Sequence, residues 1–267
     1  MTILEAMRSR RSVRTYNRAP LDQNQIELLT GCVASAQSPF GGRVAIRLRL
    51  FNVAAGYKPS TYGMIKGASD YFLVAFAKGD RCSELTAGYR FEQVVLKAWQ
   101  MGLGTCWIAA TFKQTVFEEG VRWPDGLSLQ IVSPVGVAAK ERSLFERVSR
   151  SVVGSDRRKP FGKLFFESDF STPLSSESRF GESLEMMRLA PSSTNSQPWR
   201  AVVEGDTVHF YYVDKSKLAM IDCGIGLCHF HLTEQYRQSD GRFEECAQHP
   251  AAPKGVKYLI SYKANAV

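Results

Sequence analysis

The polar segment at residues 190–200 reads Ala-Pro-Ser-Ser-Thr-Asn-Ser-Gln-Pro-Trp-Arg and has the composition of a ligand-contacting loop. Pro191 predicts that the preceding apolar helix ends at Ala190. Ser193, Asn195 and Gln197 can offer hydrogen-bond donors and acceptors to a planar heterocycle, while Trp199 anchors the turn in the core. Taken a few residues at a time, the segment also fits an ordinary connection between a helix and a strand.

Positive charge is concentrated in two places, although the chain as a whole carries a net charge of +8. One cluster lies within residues 8–18 and the other at residues 157–159. A nucleic-acid site would need a basic stripe interleaved with aromatic residues, and neither cluster has that spacing. Two compact clusters favour a single phosphate-sized anion, so we expect no nucleic-acid partner.

The elements that must position these residues are predicted from caps and periodicity. Thr2 and Glu5 form a capping box, and Asp22 is an N-cap for a second helix that ends near Ser35. Strands are predicted at 45–51, 71–77 and 128–138, with a helix at 83–100. After residue 200, a hairpin at 204–206, a helix and a last strand at 258–262 follow.

Three segments together resemble the nitroreductase family of FMN-dependent oxidoreductases, in the form of the subgroup called putative TM nitroreductases. They are the loop at 190–200, Arg-Arg-Ser-Val-Arg-Thr-Tyr at 10–16 and Gly-Leu-Gly-Thr-Cys-Trp at 102–107. The segment at 62–68 and the basic segment at 156–161 also resemble segments of this family. The resemblance implies an α+β fold with a mixed sheet flanked by helices. It also implies FMN as the cofactor and NADH or NADPH as the co-substrate.

The same resemblance implies which residues hold the flavin. Alternate residues of the arm at 10–16 would face the FMN phosphate and ribityl chain, amides near Ala109 and Ala110 would donate to flavin N5, and the segment at 156–161 would add a second cation. Lys66 could lie near the flavin pyrimidine, although such a lysine is often only solvated. The implied cofactor-binding residues are Arg10, Arg11, Ser12, Arg14, Lys66, Ile108, Ala109, Ala110, Arg158, Lys159, Pro191, Ser192, Ser193, Asn195 and Gln197.

Short segments in the first half of the chain are similar in sequence to segments in the second half, which predicts an internal duplication. Residues 26–29 and 35–38 align with 184–187 and 193–196 at one offset, and 102–106 aligns with 224–228 at another. We expect a first half at 1–168, a connector at 169–178 and a second half at 179–267, interwoven as a pseudo-dimer. The flavin would lie between the arm of one half and the loop of the other. One FMN per chain and a monomer are then expected, with a homodimer left open.

The predicted function is hydride transfer from NAD(P)H through flavin N5 to a small-molecule acceptor such as a quinone or nitro compound, by a ping-pong mechanism. No catalytic side chain is required, because the flavin carries the chemistry. The alternative is a flavin-binding sensor or partner protein without significant turnover. We expect a cytoplasmic protein without membrane association, since the sequence shows neither a spanning segment nor a secretory signal.

A metal site is not predicted. The candidate ligands are Cys223, Cys228, His229 and His231. On one helix these side chains diverge too far to converge on one ion.

Overall fold

The computed structural model describes residues 1–51, 59–140, 157–239 and 241–265. The chain divides into two compact units, Met1–Val153 and Gly154–Val267. Both combine helices with strands, so the predicted α+β class is confirmed. Among the described residues, no helix is both long and apolar enough to cross a bilayer.

The first unit has a four-stranded antiparallel sheet. Its helices are α1 (Ile3–Ser9), α2 (Gln23–Ser35), α3 (Arg81–Gln100) and α4 (Gln114–Glu118). Its strands are β1 (Val44–Leu50), β2 (Asp70–Phe76), β3 (Gly104–Thr105) and β4 (Ser128–Gly136), in the order β1-β2-β4-β3. The predicted caps Thr2 and Asp22 are confirmed, and each forms a complete capping box. β2 is buried along its whole length, as its continuous apolar sequence predicts.

The second unit has a five-stranded mixed sheet. Its helices are α5 (Gly181–Leu189) and α6 (Ala219–Tyr236). Its strands are β5 (Phe165–Glu167), β6 (Trp199–Glu204), β7 (Thr207–Val213), β8 (Gly241–Glu244) and β9 (Val256–Ala264), in the order β5-β6-β7-β9-β8. Only β5 and β6 are parallel. α6 is buried nearly all round and packs against α5, β6 and β7.

The boundary between the units differs from the predicted division at residue 168 and the predicted connector at 169–178. β5 pairs with β6 through Phe165, Phe166 and Glu167, which ties this segment to the second unit. The amide of Leu174 also donates to Phe165, so the polar stretch after β5 packs on the same sheet. The backbone groups of this stretch are satisfied by turns and single bridges and not by long strand pairings, which is why its sequence resembles a linker.

The two units repeat an order of elements. In the first, α2, the antiparallel pair β1–β2 and α3 precede β4, which pairs antiparallel with β2. In the second, α5, the β6–β7 hairpin and α6 precede β9, which pairs antiparallel with β7. The predicted match of 102–106 with 224–228 does not follow this order, because the first segment follows a helix and the second lies inside one.

Candidate functional site

The arm at residues 10–16 is an extended segment held within the first unit by backbone bridges. Ser12 pairs with Thr105 of β3, and Thr15 pairs with Lys66. The amide of Val13 donates to the Thr105 carbonyl at 2.9 Å, and the Lys66 amide donates to Arg14 at 2.9 Å. The structure therefore brings together three segments that the sequence singled out: the arm, the Gly-Leu-Gly-Thr-Cys run and Lys66.

Two glycines allow this close approach. A Cβ on Gly104 would lie 2.5 Å from Cγ2 of Val13, which is itself buried. Gly67 has φ +80°, and a Cβ there would overlap the carbonyl oxygen of Tyr16. Glycine is therefore required at both positions for the arm to lie where it does.

The arginines of the arm differ in their surroundings. Arg10 has only 5% of its side chain exposed, and its Nε lies 3.8 Å from Oε1 of the fully buried Glu92. The other Glu92 oxygen accepts a hydrogen bond from the Trp107 indole at 3.0 Å. Arg10 Nη1 and Arg14 Nε are buried and have no hydrogen-bond partner among the described residues. A polar group buried without a partner is costly, so these two donors suit an anion that supplies acceptor oxygens.

Two other basic residues of the predicted site in this unit lie on the surface. Arg11 is exposed, and its guanidinium lies over the Trp99 ring at 5.9 Å from the ring centroid. The Lys66 side chain is also exposed, although its backbone is paired with the arm. These two residues have the weaker structural case as flavin ligands, since neither has a buried donor without a partner.

The segment after β3 supplies amides unequally. Ile108 is buried and exchanges two backbone hydrogen bonds with Val132, each 3.0 Å long. The Ile108 amide is therefore already used within the protein, and a contact between Ile108 and the cofactor stays a prediction. The amides of Ala109 and Ala110 have no hydrogen bond within the described chain, so the expectation for them stands. Cys106 belongs to an apolar core cluster that also contains Ile108.

The loop at 190–200 has an unusual backbone in the second unit. α5 ends at Leu189, as Pro191 predicts, and Ser193–Asn195 forms a 3₁₀ turn. Thr194, Asn195 and Gln197 have φ values of 50°, 57° and 45°. Non-glycine residues in this left-handed region cost free energy, and such strain is typical of functional loops. Trp199 is completely buried at the start of β6, which confirms its role as an anchor.

The late basic segment lies against this loop. Arg158 donates from Nη1 to Oδ1 of Asn195 at 2.9 Å, and the Lys159 amide donates to Oε1 of Gln197 at 2.9 Å. Lys159 Nζ also donates to the carbonyl of Gln197 at 3.3 Å and to that of Ser196. Burial and the nearby cations Arg200 and Lys215 lower the pKa of Lys159. Asp156, the first residue of the predicted segment, lies outside the described residues.

The polar side chains of Asn195 and Gln197 form hydrogen bonds with other residues of the second unit. Asn195 Nδ2 donates to the carbonyl of Arg157 at 2.6 Å, and Gln197 Nε2 donates to Asn195 at 3.0 Å. The Gln197 amide donates to the Ser192 hydroxyl at 2.9 Å. The amide side chains of Asn195 and Gln197, which the sequence indicated as flavin contacts, therefore form hydrogen bonds that hold the loop in its conformation.

Sequence reasoning missed two buried acids beside the predicted site residues. Glu92 of α3 pairs with Arg10, and Asp222 of α6 accepts the Ser193 amide at 2.9 Å. Burial raises the pKa of Asp222 to about 7, although its hydrogen bonds from Ser193 and Ser196 act in the opposite direction. For Asp222 the available signal was an acidic residue inside an otherwise apolar helical run, whereas Glu92 lies among polar residues of α3 and gave no such signal.

A separate cleft of about 830 Å³ lies at the β8–β9 edge of the second unit. His209 faces it, with Nε2 3.1 Å from Glu204 and Nδ1 2.7 Å from the Ser261 hydroxyl. None of the predicted site residues lines this cleft. Across the described ranges, no three His, Cys, Asp or Glu side chains are grouped so that they could hold a metal ion.

Comparison with a solved structure from Thermotoga maritima agrees with the fold. A crystal structure of a putative nitroreductase from Thermotoga maritima is similar over 99% of this chain and 93% of its own, with 19% identity and a TM-score of 0.60. A nitroreductase with bound FMN from Bacteroides fragilis is similar over 54% of this chain and 92% of its own, with 17% identity and a TM-score of 0.44. None of the curated proteins matches. The model of the family described as putative TM nitroreductase matches residues 2–234, and the chain therefore belongs to that family.

Proposed function

We propose that this protein is an FMN-dependent NAD(P)H oxidoreductase of the nitroreductase type. Family membership supports an oxidoreductase. The observation that supports FMN is a pair of buried donors, Arg10 Nη1 and Arg14 Nε, which have no hydrogen-bond partner in the described part of the chain and lie on an arm that also includes Ser12. A phosphate oxygen would satisfy such donors with charge-assisted hydrogen bonds.

The residues of the chain would bind and orient the cofactor. Arg10, Ser12 and Arg14 would hold its phosphate and ribityl chain, and the unpaired amides of Ala109 and Ala110 would donate hydrogen bonds to its ring. Arg158 and Lys159 would contribute positive charge beside the loop at 190–200. FMN, when bound, would supply the hydride chemistry between a nicotinamide and an oxidised acceptor such as a quinone or nitro compound.

We also propose that the chain arose by internal duplication. The repeated order of a helix, an antiparallel strand pair, a helix and a further antiparallel strand supports this proposal. The arm motif occurs only in the first unit, and the Pro-Ser-Ser loop occurs only in the second. The chain therefore has the sequence parts for one flavin.

The first experiment is to purify the protein, record its visible absorbance and identify any released flavin by chromatography against FMN and FAD. Arg14→Ala and Ser12→Ala should each weaken FMN binding. Loss of a charge-assisted contact costs about 1.5–3 kcal/mol, which is roughly one to two decades in Kd. Arg47→Ala is the matched control, because Arg47 is an exposed arginine of β1 that contacts Trp123. Equal FMN affinity in all four proteins would refute the role of the arm.

Turnover is tested separately. NADH and NADPH are each mixed with the flavin-loaded protein without oxygen, while the visible flavin band is followed. Rapid bleaching supports the oxidoreductase. A band that persists with both nucleotides favours the alternative of a flavin-binding sensor or partner protein.

A further inference from the structure

Asp222 lies beneath the loop at 190–200 and contacts it with both carboxylate oxygens. Oδ1 accepts a hydrogen bond from the Ser193 amide at 2.9 Å, and Oδ2 accepts one from the Ser196 hydroxyl at 3.2 Å. The residue is 3% exposed and lies in the first turn of α6. These two hydrogen bonds attach the loop to α6.

The loop needs such support because its own conformation is strained. Between Ser193 and Gln197, three non-glycine residues have positive φ values. A strained backbone persists only where its surroundings over-determine it. Arg158 and Lys159 supply contacts to Asn195 and Gln197, whereas Asp222 supplies contacts to Ser193 and Ser196.

We propose that Asp222 is a positioning residue that fixes the loop at 190–200 in its flavin-binding conformation. It acts through Ser193 and Ser196 and does not itself touch the ligand. This inference rests on the proposed function for its consequence in flavin affinity. Its structural part, the attachment of the loop to α6, is independent of that function.

A matched control exists on the same helix. Glu234 of α6 is also buried, and one of its carboxylate oxygens accepts a hydrogen bond from the Ser183 hydroxyl of α5. It makes no contact with the loop among the described hydrogen bonds and ion pairs. Glu234→Gln therefore perturbs a buried acid of α6 without touching the proposed attachment.

The first measurement uses flavin-free protein and amide hydrogen exchange of peptides that cover residues 190–199. Asp222→Ala should raise exchange in this loop, whereas Glu234→Gln should leave it at the wild-type rate. Asp222→Asn should also stay near wild type, because an amide can accept from the Ser193 amide and donate to the Ser196 hydroxyl. Unchanged loop exchange in Asp222→Ala would overturn the proposal whether or not the protein binds FMN.

The second measurement is the Kd for FMN. Loss of the two hydrogen bonds to Ser193 and Ser196 should weaken binding about tenfold in Asp222→Ala, with Asp222→Asn and Glu234→Gln within about threefold of wild type. If Glu234→Gln weakens binding as much as Asp222→Ala, the effect is general destabilisation and the proposal fails. If the wild type binds no FMN, the proposed function fails, while the exchange result still decides the attachment. Should Asp222→Ala not fold, Ser196→Ala removes one of the two contacts and should still raise loop exchange.

Discussion

Substitution of Gly104 by alanine should displace the arm that carries Ser12 and Arg14. The new Cβ would lie 2.5 Å from Cγ2 and 2.6 Å from Cβ of Val13. Carbon atoms in contact lie about 3.5–4.0 Å apart, so the arm must move by roughly 1 Å. Val13 is buried and its amide is bonded to Thr105 at 2.9 Å, so the shift strains that pairing. Overpacking of this kind costs about 1–3 kcal/mol of folding free energy.

Urea unfolding of Gly104→Ala and Gly31→Ala measures this cost. Gly31 is exposed in α2, and a Cβ there meets nothing within 4 Å. Gly31→Ala should therefore stabilise the protein by about 0.5–1 kcal/mol, because alanine favours the helix. The two glycine-to-alanine changes should have opposite signs.

A double-mutant cycle with Val13→Ala tests the cause. That change removes Cγ1 and Cγ2 of Val13 but leaves its Cβ 2.6 Å from the new atom, so recovery should be partial. Additive effects of Gly104→Ala and Val13→Ala, or a Gly104→Ala protein as stable as Gly31→Ala, would refute the reasoning. In the flavin-loaded protein, Gly104→Ala should also weaken FMN binding.

Three further predictions concern charge and stoichiometry. Asp222→Asn should leave stability unchanged near pH 4 and raise it, relative to wild type, as the pH increases to 7. Because burial raises the pKa of folded Asp222 to about 7, its ionisation lowers the folding stability of the wild type by at most about 4 kcal/mol. Urea unfolding at several pH values measures this loss, and a pH-independent difference between the two proteins would contradict it. Glu92→Gln leaves the buried Arg10 without its charge partner and should lower the free energy of unfolding in urea by about 3 kcal/mol. Glu27→Gln, on the exposed face of α2, should change it very little, and equal effects of the two changes would contradict the pairing. Flavin absorbance with light scattering should give one FMN per monomeric chain, and two per chain would contradict the duplication argument.

Local chemistry was predictable from the sequence. The capping boxes at Thr2 and Asp22 depend on residues three positions apart, and both form. Pro191 correctly predicted the end of α5, and the apolar run at 71–77 correctly predicted a buried strand. Each of these signals lies within a few residues of the feature that it predicts.

Alternation along a strand was less reliable. The sequence of β1 predicts Ile46, Leu48 and Leu50 on one buried face. Ile46 is buried, but Leu50 is half exposed. The difference arises because burial at the end of a strand depends on which elements cover it, and β1 is an edge strand.

The sequence by itself determined the α+β class, the main helices and strands, and the segments that carry the family resemblance. Only the tertiary structure decided how the polar groups of those segments are used. Ser193 and Asp222 are 29 residues apart, and Arg158 and Asn195 are 37 apart, so periodicity could not pair them. The amide of Ile108 is likewise bonded to a strand more than twenty residues away. The hydrogen-bond partners of buried groups depend on packing between elements that are distant in the sequence. A local sequence pattern indicates only the structure of the element in which it lies.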